Sequence, residues 1–135
     1  MALRDAIVDR LTSDHAGTAA LIGRRCYPLV KPQGMKLTCV VYQRISQVRD
    51  EAGGSDSGLA ANLMQFRCIA PSESAAQVLA VQVVSAVSKW SGTLQSETIQ
   101  GTFVINVRDG EPEVGDDGKV SLYSVLIDAR IWHLE

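Results

Sequence analysis

The residues of this chain that could do chemistry are two histidines, three cysteines and one run of acids. His15 and His133 stand near opposite ends, each among polar neighbours, which reads as surface histidine and not as a general base or ligand. Cys26, Cys39 and Cys68 are widely spaced with no CxxC pair, so they read as small buried hydrophobes in a reducing cytosol. A Cys–His couple for nucleophilic attack would need one of them beside a histidine, and nothing in the spacing supports that. Asp109, Glu111, Glu113, Asp116 and Asp117 place five acids within residues 109–118, with no base among them. Asp116-Asp117-Gly118 matches part of a calcium loop, but the other ligand positions and the closing Glu are missing, which leaves a solvated acidic turn. Gly53-Gly54 and Gly58 lack the strand-to-helix setting and the Lys-Ser/Thr ending of a phosphate loop, and no HExxH occurs. The residues therefore predict no enzyme, no cofactor and no metal.

The elements are easier to read. Leu3, Ile7 and Leu11 recur at i, i+4 and i+8, the stripe of a helix that packs one narrow face on a core. A second helical turn over Thr18–Ile22 would close at Gly23, and the prolines and Gly34 make Cys26–Gly34 extended or turn-like. Leu37–Val48 and Leu59–Ala70 read as strands, with Met64, Phe66 and Cys68 alternating against Gln65 and Arg67. The ten polar and glycine-rich residues Arg49–Gly58 between them read as a long loop, mobile alone and ordered by a partner.

The main helix begins at Ser72 or Ser74, where Ser74-Ala-Ala-Gln77 has capping-box spacing, and runs to about Trp90 before Gly92. Ala76, Leu79, Val83, Val87 and Trp90 share its inner face; Val78 and Val81 fall among the polar residues opposite. Two more strands follow. In Ile99–Val107 the odd positions Ile99, Phe103, Ile105 and Val107 are expected to face the core. In Val120–Trp132, Tyr123, Val125, Ile127, Ala129 and Ile131 do so, leaving Leu122, Leu126 and Trp132 outside. Asp109–Gly118 is a hairpin tip, also expected to be ordered by partners. The resulting expectation is an α+β fold: an antiparallel sheet of about four main strands with two helices packed on one face.

A chain of 135 residues suits a single domain over 1–135. Its 46% apolar and 21% charged residues put it among globular proteins, not disordered ones. A net charge of −2 argues against a protein that grips nucleic acid by its phosphates, though not against DNA passing a neutral surface. The N-terminus shows no apolar signal segment, and the most apolar stretch, Val78–Val87, is too short to span a bilayer, so no membrane partner is expected.

Order and pattern resemble a known family. The helix Leu3–Leu11, the stretch Ile22-Gly-Arg-Arg-Cys-Tyr-Pro28 and the turn Pro32-Gln-Gly34 come first. The strands Val40-Val-Tyr-Gln-Arg-Ile-Ser46 and Met64-Gln-Phe-Arg-Cys-Ile-Ala-Pro71 follow, then the helix near Ser74-Ala-Ala and the strand Ile127-Asp-Ala-Arg-Ile-Trp132. Over nearly the whole chain these resemble the tail-completion, or tail-terminator, proteins of long-tailed bacteriophages. The resemblance implies a structural virion protein at the head-proximal end of the tail, assembled in the host cytoplasm. It would form a homo-oligomeric ring, usually a hexamer, that caps the tail tube protein, ends tube polymerisation and joins a head–tail connector or stopper protein. DNA would pass through the ring without specific binding. The family carries no active-site residues to transfer. Alternative readings are a head-side neck or connector ring protein, and an unrelated small α+β enzyme or ligand-binding domain. The expected protein-interface residues are Arg49, Asp50, Glu51, Val78, Val81, Asp109, Glu111, Glu113, Asp116, Asp117 and Trp132.

Overall fold

The computed structural model describes residues 2–32, 37–52, 55–94, 97–115 and 117–134, with the backbone alone for 2, 49–52, 55–59, 94, 97 and 134. Helix α1 (Ala2–Asp9) runs into one π-turn (Arg10–Asp14), and Leu3, Ile7 and Leu11 are all fully buried, as their spacing requires. Helix α2 (Ala16–Ile22) starts at His15, whose Nδ1 accepts the backbone N–H of Thr18 at 3.2 Å. It ends at Gly23, whose φ of +58° is one that glycine adopts without a Cβ penalty. Helix α3 (Glu73–Val87) is capped by Ser72, whose hydroxyl accepts from Ala75 N at 3.2 Å. Ser72, not Ser74, is thus the cap, and the helix stops three residues before Trp90, which is buried all the same.

The sheet is larger than four strands. In chain order the strands are β1 (Cys26–Pro28), β2 (Cys39–Ala52), β3 (Ser55–Ala70), β4 (Gly92–Leu94), β5 (Glu97–Asp109), β6 (Glu113–Val114) and β7 (Val120–Leu134). They lie in the order β1-β2-β3-β7-β5-β4, with β6 pairing separately on β7. The four long strands β2, β3, β5 and β7 pair antiparallel, as the sequence predicts. The three short ones carry too few residues to show a period, and β1 runs parallel to β2, which no hairpin reading anticipates. Three helices, not two, cover the sheet, because α2 is a full short helix.

One core lies between the helices and one sheet face. Val40, Tyr42, Met64, Phe66, Cys68, Val125, Ile127, Ala129 and Ile131 meet Leu3, Ile7, Leu11, Ile22, Leu79, Val83 and Val87 there. His133 continues that inward row of β7 and is buried, so the surface assignment made from its polar sequence neighbours does not hold. The period-2 alternation of the strand decides its side, not the residue type. A smaller cluster, Cys39, Val41, Ile69 and Leu122 with Tyr27 against it, forms on the helix-free face. All three cysteines are free and buried.

Strand β5 departs from simple alternation. Register shifts lie between Ile99 and Gly101 and between Val104 and Asn106. The first shift moves Thr102 and Val104 to the core side and turns Phe103 out, so Phe103 is 59% exposed. Ile105 stands in the second shift at 52% exposed, and Val107, returned to the helix side at the sheet margin, is still 49% exposed. Of the four residues expected to be core, only Ile99 is buried.

The segment Arg49–Gly58 is not a loop. Arg49 pairs with Ala60, Glu51 with Asp56 and Ala52 with Ser55, so β2 and β3 form one long hairpin. The two residues between Ala52 and Ser55 are Gly53-Gly54, a composition favoured in two-residue hairpin turns, and they lie outside the described residues.

Candidate assembly interface

Exposed large apolar side chains occur at several places on the fold, and four of them lie along one margin. Two residues past the end of α3 the backbone N–H of Lys89 donates to the Thr102 carbonyl at 3.0 Å, and within α3 Gln77 Nε2 donates to Asp109 Oδ1 at 3.2 Å. These two contacts tie the α3 segment to β5 at both ends, while the helix packs chiefly on β7 and β3. At 100° per residue, Val81 shares the flank of Gln77 and Val84, the flank turned to β5. Val81 is 63% exposed, while Val84 is partly buried against the core. Val81, Phe103, Ile105 and Val107 thus mark one margin where a helix flank and a strand edge are both open. Val78 is also exposed on α3, further round towards solvent.

The other expected interface residues fall in three places. Arg49, Asp50 and Glu51 lie on the distal part of β2, and their side chains are outside the described residues. Trp132 is half-buried on the helix-free face, between Ala61 of β3 and Gly101 of β5, and so is packed more than presented. The acids gather at the far end of β5 and β7, but three of them have partners inside the molecule. Asp109 accepts from Gln77, Glu113 Oε2 lies 3.2 Å from Lys31 Nζ, and Asp117 Oδ1 accepts the backbone N–H of Lys119 at 3.0 Å. Lys31 comes from the segment after β1, which is why a base-free stretch of sequence is partly neutralised in the fold. Glu111 is exposed, and Asp116 lies outside the described residues. The arm also carries β6, so it is more ordered than a bare hairpin tip.

Beside that arm, on the helix-free face, a cleft of about 190 Å³ is lined by Leu29, Val41, Ile69 and Leu122, with Lys31 and Glu113 among its polar walls. Neither histidine takes part. His15 caps α2, and His133 is in the core at the opposite end of β7. Among the described residues no group of three or more His, Cys, Asp or Glu is placed to hold a metal ion.

A family model described as tail completion protein gp17 matches residues 5–134. The chain belongs to the tail completion protein gp17 family. Membership makes it a structural component of the phage virion with its place in the tail. Its fold is shared with a chain of the virion of a native gene transfer agent (GTA) particle, at a TM-score of 0.69 and 18% identity. That match covers 98% of this chain and 95% of the other. A second solved chain matches at a TM-score of 0.55 and 20% identity, over 98% of this chain and 92% of its own length. No curated protein matches the chain.

Three of the four margin residues of this tail completion protein, Phe103, Ile105 and Val107, are ones the sequence reading places in the core. Their signal was Gly101 in mid-strand, since an isolated glycine inside a strand often marks a bulge.

Proposed function

We propose that this tail completion protein forms a ring of copies, in the family's manner a hexamer, on the head-proximal end of the tail tube. The ring ends tube polymerisation and presents the surface to which the head connector or stopper protein docks, and DNA passes through it without being gripped. The observation that carries this reading is the family match over residues 5–134. The open margin of α3 and β5 supports it, because Val81, Phe103 and Ile105 leave apolar side chains uncovered beside an unpaired stretch of strand edge. The role is structural: the titratable groups that a reaction would need serve here as a cap, as core and as surface ion pairs.

Removal of this gene from its phage tests the reading. The expected particles are filled heads without tails beside tubes of uncontrolled length, with both defects corrected by the intact gene supplied in trans. Tails of normal length beside unattached heads would instead place the ring on the head side of the neck. Normal infectious particles would overturn the proposal.

A further inference from the structure

We propose that neighbouring copies join edge to edge, the open edge of β5 in one copy pairing antiparallel with the open edge of β2 in the next. The inference rests on the ring reading above and says how the ring is held.

The topology supplies two matching edges. β2 and β5 are the outermost long strands, and each has a short cap: β1 covers Val40–Tyr42 of β2, and β4 covers Glu97–Ile99 of β5. Among the described residues no strand pairs with either edge beyond its cap. Three successive antiparallel pairings, β2 with β3, β3 with β7 and β7 with β5, make β2 and β5 antiparallel to each other. A second copy in the same orientation therefore brings β2 against β5 with the antiparallel order unbroken.

The caps also fix the height. Following the ladders across the sheet, Gln43 lies level with Asn106, Ser46 with Phe103 and Val48 with Gly101. The cap β1 occupies the heights of Val107–Asp109, and β4 reaches the height of Arg49. The backbone N–H of Lys89, on the way into β4, already holds the Thr102 carbonyl, so the open window is residues 43–46 of one copy and 103–106 of the next, which face each other when the copies sit at equal height. Copies related by rotation alone, with strands along the ring axis, sit at equal height.

Side chains in this window complement each other. Phe103 would stand opposite Ser46 and diagonal to Val48, on the helix-free face of both copies, as cross-strand neighbours do. Each edge carries a register shift at nearly the same level, leaving Ile45 at 47% and Ile105 at 52% exposed. Bulges blunt a free edge against indiscriminate pairing, which suits a subunit that stays single until a tail end templates it. On the helix side, Val81 overhangs the same margin. At the start of β2's open edge the facing surface is a depression of about 80 Å³, lined by Leu3, Arg4, Tyr42 and Met64 among others.

The test uses introduced cysteines, because the three native thiols are buried and do not compete for oxidation. Two double variants, Ser46→Cys with Phe103→Cys and Gln43→Cys with Asn106→Cys, are carried into assembled phage together with the four single variants. Tails are purified and mildly oxidised, and the chain is followed on a non-reducing gel. The expected result is a ladder of covalent multimers up to the full ring in both doubles and monomer in every single. Tails that contain the chain and join heads normally, yet give only monomer in both doubles, would overturn edge pairing while leaving the ring intact. Purified wild-type tails that lack the chain would overturn the ring reading, and this inference with it.

Discussion

Burial raises the cysteine thiols. Cys26 is pushed from 9.0 up to about 12 by desolvation, with Cys39 adding to the rise, and fully buried Cys68 is raised further for the same reason. Below pH 9 both folded and unfolded thiols are protonated and nothing changes. Above it the unfolded chain loses these protons first, so the stability they contribute falls as pH rises towards 12. At pH 8 the Cys26 thiolate fraction is about one in ten thousand, so the folded protein should resist a thiol reagent that modifies all three cysteines in denaturant. Urea unfolding at pH 8 and pH 10.5 should show a smaller loss of stability in Cys26→Ala than in the natural chain. Equal losses would mean that the thiol is wetter than its burial implies. That these cysteines are buried was legible from their number and spacing. The sequence reading missed that His133 is also core, because polar neighbours in sequence point to the other side of a strand.

Helix α3 shows what local sequence specifies and what it leaves open. Two serines could cap it, and only the fold selects Ser72 by bringing its hydroxyl to Ala75 N. Ser72→Ala should cost about 1 kcal/mol, the usual loss of an N-cap, whereas Ser74→Ala inside the first turn should change stability by less than about 0.5 kcal/mol. The two midpoints in urea, at unchanged slope, decide it, and equal costs would reassign the cap. Strands β3 and β7 were legible because their alternation is long and unbroken, and β2 because β-branched and aromatic residues fill its first half. β5 was not, since a one-residue shift exchanges its faces and Thr102 gives no apolar cue to its burial. The hairpin through Gly53-Gly54 was missed for a related reason. Its flanking residues are polar on both faces, so composition read as loop although the backbone keeps its ladder.

At the scale of the whole molecule, acidic charge gathers at one end. The acids around Asp109, Glu111, Glu113 and Asp117 form a negative end that Lys31 offsets only in part. Such a field repels phosphate and attracts a basic protein surface, and it acts chiefly on docking rate and orientation. Replacing Asp109, Glu111, Glu113, Asp116 and Asp117 by Asn or Gln should therefore slow head–tail joining several-fold at low salt, with the difference shrinking as salt rises. Joining at an unchanged rate and salt dependence would reduce the arm to a turn. The apolar margin was legible only through Val81, because its strand residues depend on bulges that sequence does not display. The central claim, a ring at the head-proximal tail end, is tested most directly by electron-microscopic imaging of purified tails carrying a labelled copy of this chain. The account predicts one ring of label at the head-proximal tip of every tail and none along the tube. Label distributed along the tube, or retained on heads after tails detach, would contradict it.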